Sequence, residues 1–463
     1  MKIQNIATVS IVAVGIASLS SCHIYNKFDM PTDTPLTSEY VQAKQAGIDS
    51  TSLGNIHWQD IFTDPQLASL INRALSQNTD LQNAKLNVDI ANAQLNGARL
   101  SYLPSLTLAA SGSKAYFDYA GMRNMPWTYQ VPVQASWEID IFGKLLNAKR
   151  RAKAQLLQSQ AYEQAVRSQI IGGVANCYYS IAMIEKQLQI SRQTSVYWKE
   201  SVEIMKNFKL AGRVNETAVV QSTANYYSIL ASITDLEVSL HQANNTLALL
   251  LNTDQNDWNI SPDALLTLPA DISQGIPMSQ LAARPDVAAA EQSVAIAYYA
   301  TNQARAAFYP GITISGTGGF TNSLATGVVN PANWFANLAG SLTAPLFARG
   351  QLISNLKAAK AQQEQSMNNF QHTLLNASAE VSEALVLYNK SNEKQLLLDE
   401  QVGNLEKAVE YTQELLALDG TSTYLEVITA QQSLLQAQLA QAACQNTMAR
   451  AGISLYQSLG GGR

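Results

Sequence analysis

The chain repeats one layout at an offset of about 206 residues, and this repeat constrains its fold more than any other feature of the 463 residues. The matching segments are residues 80–104 and 286–310. Identical pairs include Asp80/Asp286, Ala84/Ala290, Val88/Val294, Arg99/Arg305 and Pro104/Pro310. The two halves should therefore fold alike.

Each half has the same order of predicted elements. A helix opens at Asp64-Pro65 or at Arg284-Pro285, where an N-cap position precedes a proline suited to the first helical turn. Two segments with alternating polarity follow, a pattern typical of β-strands. Then comes a proline-free stretch long enough for a helix of about 100 Å, a glycine turn and a returning helix with coiled-coil spacing. The predicted strands are 105–116, 128–141, 311–321 and 334–347, and the predicted long helices are 144–210 and 351–418.

The N-terminus predicts export. Residues 6–19 are apolar but too short to span a membrane, and Leu19-Ser20-Ser21-Cys22 follows as in a bacterial lipobox. Cys22 is then the lipid-attachment residue of the mature chain. The alternative is an ordinary secretory signal with a cysteine by chance. The predicted divisions are a signal peptide 1–21, a lipidated extended segment 22–63, repeat one 64–251, a linker 252–283 and repeat two 284–459.

The strand at 128–141 is apolar on one face and polar on the other. Trp137, Ile139 and Ile141 share the apolar face, while Glu138 and Asp140 share the polar one. An apolar-out, polar-in strand of about ten residues is what a transmembrane β-barrel requires. Four strands cannot close a barrel, so several copies would have to share one. Glu138 and Asp140 would then face a water-filled lumen.

Composition and motifs argue against other classes of protein. The formal charge of -5 is not the balance of a typical nucleic-acid binder, which usually carries a clustered basic face. The four histidines are scattered without metal-ligand spacing, and no nucleophile–base pair is evident, so we expect no enzyme activity, cofactor or metal site. Cys177 and Cys444 could pair or remain separate buried thiols.

Several motifs together resemble one family. They are Phe62-Thr63-Asp64-Pro65, Glu138-Ile139-Asp140-Ile141-Phe142-Gly143, Arg284-Pro285-Asp286-Val287 and Ala304-Arg305-Ala306-Ala307-Phe308-Tyr309-Pro310. The chain resembles the TolC family of outer-membrane factors, in its lipoprotein efflux branch. The resemblance implies an α+β membrane protein whose homotrimer forms a 12-stranded outer-membrane β-barrel, continued by an α-helical tunnel in the periplasm. It also implies a periplasmic adaptor protein and an inner-membrane pump, of RND type, as partners, and outer-membrane lipid around the barrel.

The resemblance also locates a gate at the two helix-hairpin turns. Glu426 follows Gly420 as the family's first acidic residue does, whereas Thr429 stands where some members carry a second acid. Gly212, Arg213 and Glu216 form the matching turn of the first half, and Arg213 and Glu216 could tie neighbouring hairpins together. Solvated turn residues are the alternative for these charges.

Two functions remain open from the sequence. The first is the outer-membrane duct of a tripartite efflux system, with loops 117–126 and 322–333 outside the cell. The second is a coiled-coil lipoprotein that tethers or spaces the envelope. A tether has no use for four amphipathic strands placed in duplicate, which favours the duct.

Overall fold

The computed structural model describes residues 26–46, 56–114, 127–256, 258–266, 281–321, 334–418 and 423–462. Several predicted features lie outside these residues: the signal peptide, Cys22, Gly420 and the outer loops at 117–126 and 322–333. Within the described ranges the chain is mostly helical. The helices are α1 (Pro35–Ala46), α2 (Trp58–Ile61), α3 (Pro65–Gln77), α4 (Thr79–Leu100), α5 (Lys144–Leu210), α6 (Glu216–Leu250), α7 (Pro285–Ala306), α8 (Gln351–Leu418) and α9 (Tyr424–Ser458).

The first helical segment is two helices rather than the single helix that the sequence predicts. Asp64 caps α3 by accepting hydrogen bonds from the backbone N–H groups of Gln66 and Leu67. Asn78 then adopts an extended backbone and caps α4 by accepting from the N–H groups of Asp80 and Leu81. An internal capping residue therefore breaks the helix, although no proline or glycine marks the position. The corresponding α7 of the second half is continuous.

The strands form one antiparallel sheet. They are β1 (Ser105–Leu108), β2 (Ser111–Ser113), β3 (Thr128–Ile139), β4 (Gly311–Thr321) and β5 (Trp334–Thr343), in the order β1-β3-β4-β5, with β2 also paired to β3. The predicted first strand is interrupted between β1 and β2, opposite Pro132, whose carbonyl accepts a hydrogen bond from Ala109. The strands β3 and β5 end before the predicted residues 141 and 347.

The predicted long helices are confirmed as α5 and α8, of 67 and 68 residues. Gly172 and Gly173 do not interrupt α5. In the described part of the chain, no helix has the length and hydropathy needed to cross a membrane.

The chain divides into two compact units, and each contains residues of both repeats. The strand-bearing unit consists of the described residues within 1–31, 87–160 and 289–371, and the helical unit consists of those within 32–86, 161–288 and 372–463. In the first, Ala154, Ala295 and Tyr299 form a small core against Phe28. The helical unit buries many more large side chains, including Trp58, Leu67, Ile71, Tyr178 and Tyr456.

Candidate functional site

The sheet has one apolar face and one polar face that continue across its strands. Pairing places Ala135 of β3 beside Leu106 of β1 and Gly316 of β4, with Leu338 of β5 next in line. On the opposite face, Gln134 lies beside Thr107 and Thr317, with Asn337 next in line. The alternation seen in single strands is therefore in register across the whole sheet, which gives it two chemically distinct surfaces.

The apolar face is exposed in the single chain. Leu338 and Leu342 are 79% and 69% exposed, and Leu106 of β1 is equally uncovered. Large apolar side chains rarely form such a continuous exposed patch on a soluble monomer. This face therefore needs an apolar environment that one chain does not supply.

Aromatic side chains lie at both ends of the sheet. At the end of β3 and β5 away from the helices, the rings of Trp127 and Tyr129 stack, and Trp334 is exposed. At the end joined to the helices, Phe142 stacks on Tyr309, with 4.8 Å between the ring centres. Such paired girdles flank the lipid-facing band of membrane barrels.

The two acids predicted to face a lumen lie at the helix-joined end of β3. Glu138 accepts a hydrogen bond from Lys144 Nζ at 2.8 Å. Asp140 follows the strand, and its Oδ2 accepts a hydrogen bond from the backbone N–H of Leu146 at 2.7 Å, at the N-terminus of α5. Both acids therefore fix the junction of strand and helix, and their orientation toward a lumen stays a prediction.

The first hairpin turn is closed by its own residues. Gly212 has φ of +70°, and the backbone N–H of Arg213 donates to the carbonyl of Phe208 at 2.9 Å, as in a glycine-terminated helix. The Arg213 guanidinium lies over the Phe208 ring, and Glu216 pairs with Lys209. Contacts of Arg213 and Glu216 with a neighbouring hairpin stay a prediction.

The second turn places its predicted gate residues at the start of α9. Glu426 is exposed, and its Oε2 accepts a hydrogen bond from the backbone N–H of Thr423 at 2.9 Å. Thr429 Oγ1 donates to the carbonyl of Leu425 at 2.7 Å. Glu426 therefore caps the helix while its charge remains at the surface.

A contact between the hairpins was missed by the sequence reasoning. The hydroxyl of Tyr424 lies 2.6 Å from Ser222 Oγ on α6, which itself donates to the carbonyl of Ala218. Burial raises the pKa of Tyr424, although hydrogen bonds to Ser222 and Ser201 act in the opposite direction. Beside this pair, Trp198, Ile229 and Ile428 form a buried cluster. An aromatic residue directly after the second turn was the only signal in the sequence.

Arg284 joins three parts of the helical unit, a role that the motif alone did not indicate. Its side chain is nearly buried and donates to both carboxylate oxygens of Asp286, to Glu380 Oε2 at 2.6 Å and to the carbonyl of Ser458. Burial lowers the pKa of Arg284, but the hydrogen bonds and charges of Asp286 and Glu380 outweigh that and raise it. The guanidinium remains charged and holds α7, α8 and α9 together.

The remaining candidate groups form no reactive constellation in the described ranges. Cys177 and Cys444 are both free, and burial raises the pKa of each thiol. Within the same ranges, no three His, Cys, Asp or Glu side chains are grouped so that they could hold a metal ion.

Comparison with known proteins gives a consistent result over nearly the whole chain. The profile described as outer membrane efflux protein matches residues 70–253 and 276–461. The probable outer membrane lipoprotein SilC of Salmonella typhimurium is 28% identical over 470 residues, which cover 100% of this chain and 99% of SilC. The cation efflux system protein CusC of Escherichia coli K12 is 27% identical over 451 residues, which cover 96% and 97%. The open-state crystal structure of the MtrE outer membrane channel of Neisseria gonorrhoeae has a TM-score of 0.80 and 26% identity, covering 95% of this chain and 96% of MtrE.

Proposed function

This chain belongs to the outer membrane efflux protein family, and from that premise we propose that three copies form one duct. It is an outer-membrane efflux channel with a TolC-like fold. We further propose that the duct receives its cargo from a periplasmic adaptor protein and an inner-membrane pump of RND type. The four-strand sheet would contribute a third of a 12-stranded barrel.

One observation carries the trimer proposal: the sheet is two-faced and open at both edges. Among the described residues, β1 and β5 each have a neighbour on one side only. Unpaired edges are not tolerated in lipid, because each free backbone N–H or C=O costs several kcal/mol there. Pairing β5 of one copy with β1 of the next would satisfy both edges and close the barrel around the polar face.

We propose Cys22 as the lipid-attachment residue. SilC is described as a probable outer membrane lipoprotein, and the lipobox of this chain supports the same modification. A mass of the N-terminal peptide that includes acyl chains on Cys22 would support the proposal. An unmodified thiol at the mature N-terminus would contradict it.

The hairpin turns are proposed as the gate at the periplasmic tip. In a trimer, three copies of Glu426 around the axis would repel one another and attract cations. Glu426→Ala should therefore reduce block by divalent cations in single-channel recordings, while Thr429→Ala, which adds no change of charge, should leave block unaltered. If divalent cations block the Glu426→Ala variant as strongly as the unaltered protein, Glu426 has no role in the gate. CusC is named as a cation efflux protein, so cations are the first cargo class to test.

We also propose the division of the chain into two repeats, 64–251 and 284–459, joined by the linker 252–283. Each repeat supplies two strands of the predicted layout and one long helical hairpin to the duct. The interrupted β1–β2 segment counts as one of these strands.

The deciding experiment is electron microscopy of the detergent-extracted protein together with its mass. A three-fold tube with a lumen and the mass of three chains is expected. A monomer, or a solid rod without a lumen, would overturn the shared barrel and favour the tether.

A further inference from the structure

Positive charge is concentrated in the strand-bearing unit, although the whole chain is acidic. Within the described ranges, this unit has twelve Lys and Arg residues against six Asp and Glu, whereas the complete sequence has 30 against 35. Five of the twelve lie in the first ten residues of α5, directly after β3. They are Lys144, Lys149, Arg150, Arg151 and Lys153.

The start of α5 carries cations that have no carboxylate partner. Lys144 pairs with Glu138, and Arg150 donates to the carbonyl of Asn26. In the part of the chain that the structure describes, Lys149 and Lys153 form no ion pair, and both are exposed. They are four residues apart and so lie on one side of the helix, where like charges repel. A negatively charged partner would relieve that repulsion.

The position of Lys149 relates this charge to the aromatic girdle. Its ammonium lies 5.7 Å from the centre of the Tyr102 ring, and the Tyr102 carbonyl accepts a hydrogen bond from Trp137 Nε1 at 2.9 Å. Tyr102 and Trp137 both lie at the helix-joined end of the sheet. Lysine and aromatic side chains are therefore placed together where the apolar face of the sheet ends. Along α5, Lys153 lies only about 6 Å beyond Lys149.

The second half of the strand-bearing unit repeats this order. After β5, Leu346 and Phe347 are 98% and 87% exposed, and Arg349 and Gly350 follow with positive φ. Lys357 and Lys360 are exposed on the first turns of α8. Each junction therefore runs from strand to aromatic residue, to a left-handed glycine and to a basic helix start.

We propose that these two basic helix starts bind the headgroups of anionic phospholipids in the leaflet at the helix-joined end of the barrel. The inference rests on the proposed function, because it requires the apolar face of the sheet to lie in a bilayer. Clusters of Lys and Arg beside a membrane-spanning segment attract anionic lipids, and each cation near the surface contributes about a fivefold gain in binding. Phosphatidylglycerol fits this chemistry, whereas zwitterionic phosphatidylcholine does not.

The test uses tryptophan quenching by brominated lipids in reconstituted bilayers. Trp127→Phe and Trp334→Phe remove the tryptophans at the opposite end of the sheet, so that Trp137 is the tryptophan of the strand-bearing unit that reports on lipid near Lys149. Trp58, Trp198 and Trp258 belong to the helical unit, and their emission is measured separately in a Trp137→Phe variant of the same background and subtracted. In this background, brominated phosphatidylglycerol should bind at least fivefold more strongly than brominated phosphatidylcholine. The preference should weaken at high salt because exposed charges are screened.

The variant Lys149→Gln with Lys153→Gln should lose most of this preference. The matched control, Lys394→Gln with Lys407→Gln, removes the same charge from exposed positions of α8 in the helical unit and should keep it. An unchanged preference in the first variant, or equal quenching by both lipids in the parent protein, would overturn the inference and leave the channel assignment standing. Absence of quenching by either lipid would show that the sheet is not in the bilayer. The lipid-binding inference and the proposed barrel would then both be contradicted.

Discussion

The two units of the chain reach stability by different routes. The helical unit buries Leu67 and Ile71 completely, together with the rings of Tyr178 and Tyr456. The sheet of the strand-bearing unit leaves Leu338 and Leu342 largely exposed. One unit therefore carries its own core, and the other depends on its surroundings.

The physical reason lies in the number of layers. Long helices can bury their apolar seams against one another within a single chain. A single sheet has two faces and can bury the apolar one only against another layer or against lipid. Three predictions exploit this difference, beginning with the unit that depends on its surroundings.

The largest effect is expected at the centre of the apolar face. Leu338→Arg places a charge where the sheet would meet lipid, at a cost of about 2–4 kcal/mol near the middle of a bilayer. Because Leu338 is so exposed, the same change removes little packing within the chain. We expect much less protein in the outer-membrane fraction, with the helix content of the helical unit retained by circular dichroism.

The neighbouring residue provides the matched control. Asn337 lies on the polar face of β5, opposite Thr317. Asn337→Arg should insert normally and change the ion selectivity of the channel. Equal loss of insertion in both variants would mean that the two faces of the sheet are not divided between lipid and lumen.

In the helical unit, a backbone position should be the most sensitive. Gly462 has φ of +94°, and a Cβ atom there would lie 2.9 Å from the Cα atom of Ser168 in α5. Gly462→Ala combines a left-handed backbone with overpacking, and should destabilise the unit by about 2 kcal/mol. A lower midpoint of thermal unfolding in detergent would show this.

Gly403 is the control, because it lies within α8 and a Cβ atom there would contact nothing within 4 Å. Gly403→Ala should raise stability by up to about 1 kcal/mol through its helix propensity. If both alanine variants unfold at the same temperature, the tight packing around Gly462 does not contribute to stability.

The sequence predicts the elements well because their signals are local. Polarity with a period of two predicts the strands, and the absence of proline predicts α5 and α8 almost to the residue. The break at Asn78 was missed because a polar residue that caps a helix can equally well lie within one. The break between β1 and β2 was missed for another reason. Pro132, which lies opposite that break, is itself within the continuous strand β3.

The candidate site is less accessible to sequence reasoning, since it depends on contacts between distant residues. Arg284 was noticed as part of a motif, but its bonds to Glu380 and Ser458 join segments that are 96 and 174 residues away. The pairing of Glu216 with Lys209 within one turn also depends on the conformation of that turn. Charge alone could not distinguish a partner in the same hairpin from one in the next.

The smallest effect is expected between the two hairpins of the helical unit. Tyr424→Phe removes the hydroxyl that lies 2.6 Å from Ser222 Oγ and is also hydrogen-bonded to Ser201, but keeps the ring beside the Trp198 cluster. Loss of one such hydrogen bond costs about 1 kcal/mol, which is small beside the core of the unit but changes a two-state equilibrium about fivefold. If this contact holds the hairpins together at rest, the variant should unfold at nearly the same temperature and yet show more frequent openings in single-channel recordings. Ser228→Ala removes an exposed hydroxyl of the same helix and should change neither property. Unchanged openings in the Tyr424→Phe variant would mean that the apolar cluster alone holds the hairpins, so that the tip, like the rest of the helical unit, is stabilised by burial.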